Sequence, residues 1–356
     1  MPARVAAILL AVTALLSASA AQADTELWSS DGPATPIAAG YGHIAFSAFD
    51  RATGRYSLMI GDRATTPVSI HAASVATSRR PFDVAIAKLG RVPVVLYSRC
   101  AFGRRGCDIF RYALIGGGGE AKIHAVSSAS RDEVQPALTD TGKLVFVRRA
   151  TRLVSTGFTS RTAKARVPCD EVYVGAVRGT TAPRRLSLPL CSQISALVTG
   201  KGKVVVIANG DPNVNPSTTL VALRLNGGVA KIRGRASAGS SGFSPFRALA
   251  FSGSSVIASQ VGNRPDLQSG FVRYPIPSGG PSATPSPDIV GPFAVDGEET
   301  FTFSGRPGPI LNGARAGGVC GAGSDAELSP LGTPIDQIIR GEAPCRLVQS
   351  TGLPTG

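Results

Sequence analysis

This 356-residue chain has three histidines, two methionines and one tryptophan, and only 6% of it is aromatic. Its histidines, His43, His71 and His124, have no H-E-x-x-H spacing, and no G-x-S-x-G nucleophile elbow occurs. The cysteines never fall as C-x₂-C and have no histidine nearby, which removes the usual zinc frameworks. Acidic residues are also scarce: 23 Asp and Glu face 37 Lys and Arg, for a net charge of +14 at pH 7. No apolar run is longer than the 12 residues from Val5 to Leu16, well short of the about 20 that span a bilayer. Beyond that run no stretch holds a 3.6-residue apolar period, so helical bundles are excluded as well. Asp211-Pro212-Asn213-Val214-Asn215-Pro216 opens like a calcium loop but lacks Gly at its sixth place and Glu at its twelfth, where Ala222 stands. It reads as a capped turn, and no metal or cofactor is expected.

What is present begins with a targeting segment. Arg4, the apolar run and the small residues ending in Ala21-Gln22-Ala23 have the layout of a cleavable secretory signal over residues 1–23. A mature chain of 333 residues would start at Asp24 and carry a net charge of +13. The expectation is a soluble, exported protein, secreted or associated with the cell envelope, with no membrane-spanning segment after cleavage.

The mature chain is a repeat. Short β-branched or aromatic runs start at Gly42 (GHIAFS), Val92 (VPVVLYS), Lys143 (KLVFVR), Lys203 (KVVVIA), Ser254 (SSVIASQ) and Glu299 (ETFTFS), at intervals of 50, 51, 60, 51 and 45 residues. Each follows a Gly-containing turn, as at Gly40-Tyr41-Gly42, Leu89-Gly90-Arg91 and Asp296-Gly297-Glu298, which supplies the positive φ of a tight hairpin. Before each turn lies a short strand of small residues, such as Val84-Ala85-Ile86-Ala87 and Arg247-Ala248-Leu249-Ala250. Third strands are visible at Tyr56–Ile60, Asp108–Leu114, Glu171–Ala176, Leu220–Leu225 and Gly270–Ile276. A period near fifty residues, with 42 Gly and 26 Pro in the chain, defines an all-β array. The architecture expected over 24–356 is one six-bladed β-propeller domain of four-stranded antiparallel blades. Small residues suit its innermost strands, which converge on the axis.

The last repeat is incomplete, because the segment 305–356 is loop-rich until Cys345-Arg346-Leu347-Val348-Gln349. An open ring would leave edge strands exposed. The N-terminal strand around Glu26-Leu27-Trp28-Ser29 is therefore expected to close the last blade, with Trp28 as the packing anchor of the seam. Six cysteines in an exported chain should be paired, and fifteen pairings are possible. Cys100 and Cys107 end the two arms of one hairpin; Cys169 and Cys191 fall in a single repeat; Cys320 and Cys345 remain for the tail. Local geometry thus favours Cys100–Cys107, Cys169–Cys191 and Cys320–Cys345.

One repeat carries more than spacing. The segment Gln135-Pro136-Ala137-Leu138-Thr139-Asp140-Thr141-Gly142-Lys143-Leu144-Val145-Phe146, followed by Glu171-Val172-Tyr173-Val174, resembles the repeat of TolB-type six-bladed propellers. That repeat joins a small strand to Ser-Pro-Asp-Gly-Lys, an aliphatic run ending in Phe, and a strand bearing Tyr. The resemblance concerns architecture. In TolB an α/β domain precedes the propeller, whereas here Asp24 leads almost directly into the first blade.

Charge is the best functional signal. Arg148, Arg149, Arg152, Arg161, Lys164 and Arg166 lie between Phe146 and Cys169 with no acid among them, and the loop from Cys100 to Cys107 adds Arg104 and Arg105. Loops joining second and third strands emerge on one face of a propeller. A basic rim there would attract an anionic polymer of the cell envelope or an acidic protein surface. Nucleic acid is not expected, since the chain is exported and this segment offers only Phe146 and Phe158 for stacking. The reading is a non-catalytic, monomeric binding scaffold with no catalytic residues assigned. The rival reading is a secreted propeller hydrolase or lyase acting on carbohydrate. The adjacent acids Asp132-Glu133, Asp170-Glu171 and Glu298-Glu299 point to opposite faces of a strand and do not by themselves make its carboxylate pair.

Overall fold

The computed structural model of the chain describes residues 25–30, 32–101, 106–116, 119–126, 131–156, 163–179, 181–188, 191–209, 217–226, 231–237, 246–260, 270–276, 281–285, 292–304, 310–311, 314–315 and 345–351. Six four-stranded antiparallel sheets make up a β-propeller. The first described strand, β1 (Thr25–Ser30), belongs to the last of them. Blade 1 is β2 (Ala38–Gly40), β3 (His43–Asp50), β4 (Arg55–Asp62) and β5 (Ser69–Ala72). Blade 2 is β6 (Val84–Leu89), β7 (Val92–Cys100), β8 (Cys107–Ala113) and β9 (Glu120–Lys122). Blade 3 starts with β10 (Glu133–Leu138) and β11 (Lys143–Arg148), leaves the sheet for a hairpin, β12 (Thr151–Thr156) and β13 (Ala163–Pro168), and returns as β14 (Glu171–Ala176) and β15 (Arg184–Leu186). Blade 4 is β16 (Gln193–Gly200), β17 (Lys203–Asn209), β18 (Ser217–Arg224) and β19 (Lys231–Ser237). Blade 5 is β20 (Phe246–Ser252), β21 (Ser255–Gln260), β22 (Gly270–Pro275) and β23 (Ser282–Pro285). Blade 6 is β24 (Phe293–Asp296), β25 (Glu299–Ser304) and, after a small hairpin of β26 (Ile310–Leu311) and β27 (Ala314–Arg315), β28 (Cys345–Thr351). The outermost strand of blade 6 is β1.

The second strand of each blade explains the near-continuous apolar runs. Val204, Val205, Val206 and Ile207 in β17 are all fully buried, as are Leu144, Val145, Phe146 and Val147 in β11. A strand covered on both faces has no solvent side with which to alternate. Accordingly the core is six apolar clusters, one between each pair of neighbouring blades: Ala45, Leu58, Val95 and Tyr97 join blades 1 and 2, for example, and Val205, Leu220, Val256 and Tyr274 join blades 4 and 5.

First strands touch their neighbours all the way round, from β2 through β6, β10, β16, β20 and β24 and back to β2. Room is short there, as the small residues imply. A methyl group added at Gly200 would meet the Phe251 ring of blade 5 at 2.9 Å.

The ends meet in blade 6. β1 pairs antiparallel with β28, which pairs with β25, so the first and last described strands lie in one sheet and β1 closes the last blade as expected. Trp28 lies 4.9 Å from Phe46 of blade 1, and Phe46 lies 5.9 Å from Phe303 of blade 6. Arg63 of blade 1 reaches across the same seam to Asp296 and Glu299, lies over the Phe301 ring at 5.1 Å, and Gln349 in β28 donates to Glu299 at 2.7 Å. Cys100–Cys107 and Cys169–Cys191 are disulfide bonds. Cys345 is disulfide-bonded too, but Cys320, on which the third expected pairing falls, lies outside the described residues.

Replacing Trp28 with Ala should lower stability by about 2 kcal/mol, less than for a fully buried ring. Equilibrium urea unfolding reads this as a shift of the midpoint without a change of slope. An unmoved midpoint would show that the seam does not depend on this ring.

Candidate functional site

Antiparallel pairing sorts the connections of the ring between its two ends. Links between second and third strands, and links from blade to blade, fall on one face, here called the loop face. Tight turns between first and second strands, and links between third and fourth, fall on the other, the turn face.

Acids on the loop face serve the ring itself. First strands bulge where register shifts between Val134 and Ala137 and between Ile194 and Ala196, and a bulge leaves backbone amides without a ladder partner. Asp83 accepts from the Gln135 amide at 3.1 Å and from Ser98 Oγ at 2.8 Å, linking blade 2 to blade 3. Buried Asp170 accepts from the Ile194 amide at 2.9 Å, the Ala150 amide at 3.2 Å and the guanidinium of Arg149, linking blade 3 to blade 4. Asp132 accepts from the Cys107 amide at 3.0 Å. Glu133, fully buried, is paired with Arg148 at 3.0 Å. The paired acids therefore diverge as the strand geometry implies: Glu171, next to Asp170, instead meets Arg185 at 2.7 Å, Arg131 at 3.3 Å and the Tyr173 hydroxyl at 2.9 Å.

The β12–β13 hairpin stands on this face as a two-stranded sheet of its own. Its base is fastened by the Cys169 amide to Ala150 carbonyl bond of 2.8 Å, the Asp170 amide to Ser192 carbonyl bond of 2.9 Å, and the Cys169–Cys191 disulfide. Arg149, Ala150, Thr151, Pro168, Asp170 and Gln193 line an open pocket of about 330 Å³ beside it.

The eight expected binding residues separate into three groups. Arg148 donates to the Val126 carbonyl at 2.9 Å and lies 4.6 Å from the Tyr173 ring centre, so it is committed to the blade. Arg149 shares its guanidinium between Asp170 and the Ile194 carbonyl, at 2.7 Å from the latter, and lines the pocket. Arg152 and Arg166 are exposed on the hairpin, where β13 also carries Lys164 opposite Ser155. Arg104, Arg105 and Arg161 lie outside the described residues, as does the turn at Asp211–Pro216. Sequence reasoning passed over Glu133 and Asp170 as partners of the arginines, and over exposed Leu153 opposite Arg166. The adjacent acids flanking the basic segment were the available signal.

Burial works to raise the Glu171 carboxyl, but the hydrogen bonds from Arg185 and Tyr173 and the charges of Arg185 and Arg131 outweigh it and hold the group below its ordinary 4.5. Burial, followed by the hydrogen bond to Glu120, pushes the Tyr97 hydroxyl well above its usual range.

The fold and face define a six-bladed propeller whose loop face bears a braced basic hairpin. Among solved structures the chain is similar to TolB from Acinetobacter baumannii, at 12% identity and a TM-score of 0.50 over 87% of this chain and 64% of that one. It is also similar to the β-propeller domain of the trilobed protease from Pyrococcus furiosus, at 9% identity and a TM-score of 0.45 over 76% of this chain and 75% of that one. The chain thus spans less than two thirds of the TolB chain it matches. No protein-family model and no curated protein matches it. The architecture is that of the TolB-type propeller.

A carboxylate held low in the folded chain contributes stability that is present above its unfolded value and lost as pH falls through the folded one. Stability should therefore fall on acidification below about pH 4.5, and Glu171→Gln should flatten that fall while leaving the ring intact. Urea midpoints between pH 3 and 7 measure both, and parallel pH profiles for the two proteins would refute the assignment.

Proposed function

We propose that this chain is a non-catalytic binding scaffold working outside the cytoplasm, and that the blade 3 hairpin holds an anionic polymer or acidic protein surface. The observation that carries the reading is the separation of roles among the basic residues. Arg148 is held within the blade and Arg149 at the hairpin's base by Asp170, while Arg152 and Arg166 stand exposed on the hairpin itself. Cations held on a braced support lose little freedom when a partner binds, which favours binding. The charge of the whole chain adds a field that draws anions toward it. Disulfides and the secretory layout of residues 1–23 support export. Asp83, Asp132, Glu133 and Asp170 are each engaged by a backbone amide or an arginine, which supports a structural role for these acids.

The test is retention of the mature protein on a dextran sulfate column, with elution by salt. Wild type should be retained at low salt and elute progressively earlier as screening rises. Substituting Arg152, Arg161, Lys164 and Arg166 together by Gln should remove most of the retention without moving the urea midpoint. Unchanged retention in that variant would discard the hairpin as the contact.

A further inference from the structure

The turn face carries a surface of a different kind. Four large apolar side chains are strongly exposed among the described residues, and three of them gather here: Tyr41 at 51%, Val92 at 42% and Ile115 at 61% exposure. They form one patch across blades 1 and 2. The Lys88 ammonium lies 4.7 Å from the centre of the Tyr41 ring. Leu89, next to Lys88, pairs with Val92, and the Leu114 amide donates to the Pro93 carbonyl at 3.0 Å, which sets Ile115 beside Val92.

Folding does not account for these residues. Tyr41 has φ of 54°, a left-handed backbone that disfavours a bulky side chain, and its ring is half in solvent. The matching turns of the other blades hold Asp140-Thr141-Gly142, Lys201-Gly202, Ser252-Gly253 and Gly297-Glu298, all polar or glycine. Around the patch and across this face the exposed cations among the described residues are Lys88, Arg91, Lys143, Arg178, Arg184, Lys201 and Arg224, against the exposed acids Asp140 and Glu298, while half-buried Glu120 is engaged by Arg99 and the Tyr97 hydroxyl. Asp62 is half-buried and accepts from the Ala64 amide, and Asp296 and Glu299 hold Arg63.

We propose that this corner of the turn face seats on an anionic lipid surface. Tyr41, Val92 and Ile115 enter the boundary between headgroups and acyl chains, and Lys88 and Arg91 lie against lipid phosphates. Two arguments favour lipid over a protein partner. Three side chains on protruding turns fall far short of the roughly 800 Å² per partner that a specific protein interface buries, whereas a bilayer retains a protein through a few inserted apolar groups backed by cations. Tyr is also suited to that boundary, with an apolar ring and a polar tip. No described helix is long and apolar enough to cross a membrane, and the contact proposed is a peripheral one.

The experiment is co-sedimentation of the mature protein with vesicles of phosphatidylglycerol and phosphatidylcholine at 1:1, and with pure phosphatidylcholine, over a salt series. Wild type should bind the anionic vesicles and not the neutral ones. Tyr41→Asn, Val92→Thr and Ile115→Thr together should weaken binding at least about tenfold, and Lys88→Gln and Arg91→Gln about fivefold each. Asn tolerates the left-handed turn, so the triple variant should unfold at the wild-type urea concentration. Tyr41→Trp should add a fluorescence that shifts to the blue on anionic vesicles, over the unchanged signal of Trp28. The proposal is overturned if wild type ignores anionic vesicles or if the triple variant binds them as wild type does. It is also overturned if the hairpin variant loses vesicle binding while the triple variant keeps it. Self-association that the three substitutions abolish, with no binding to vesicles, would make the patch a protein interface and end the lipid reading.

Discussion

Each blade of this protein is a sheet whose central strands are buried on both faces, and that constraint organises everything else. β11 and β17 cannot be covered by their own blade, because a sheet one layer thick has two sides. The apolar clusters accordingly sit between blades and not within them. A row of such sheets would leave its two end faces bare, so the row must close on itself. Closure is made by chain pairing, with β1 added outside β28. The Arg63 cluster and the Trp28 ring then tie blade 6 to blade 1.

The ring was legible because it repeats. Glycine turns mark the joint between first and second strands, and the apolar second strand follows at an interval near fifty residues. The interval of 60 between Lys143 and Lys203 is longer because blade 3 contains the β12–β13 hairpin. That hairpin could be read as a basic stretch but not as two strands, since a sheet with no core to cover lacks the apolar alternation that marks a strand. Nor could charge counting divide the arginines. Arg148 and Arg152 look alike in the sequence, and what separates them is Glu133 on a neighbouring strand and the Tyr173 ring, partners that only the fold brings together. The turn-face patch was hidden for a similar reason: Tyr41, Val92 and Ile115 belong to three turns that become neighbours only when blades 1 and 2 are side by side.

The loop-face acids show how neighbouring blades are joined near the axis. A first strand that bulges near the axis leaves an amide unpaired, and a buried unpaired amide is costly. Asp83 and Asp170 meet that need by reaching from one blade to the first strand of the next. In doing so they act as hydrogen-bond acceptors that join neighbouring blades. Asp170 also accepts from the Ala150 amide at the foot of the β12–β13 hairpin, so one of these joints lies beside the surface proposed for binding.

The two faces are therefore independent surfaces. The second strands run from one face to the other and contain six to nine residues, which at about 3.3 Å per residue separates the faces by roughly 20–30 Å. Charges that far apart in salt near physiological strength are beyond the Debye length of about 8 Å and are largely screened from one another. Lipid phosphates held against Lys88 and Arg91 would thus leave the field around Arg152 and Arg166 almost unchanged. A chain seated on its turn face would hold the basic hairpin away from the bilayer, still able to capture an anionic partner of its own. The closed ring makes that division possible, because its sheet-to-sheet packing fixes the distance between the faces whatever each of them binds.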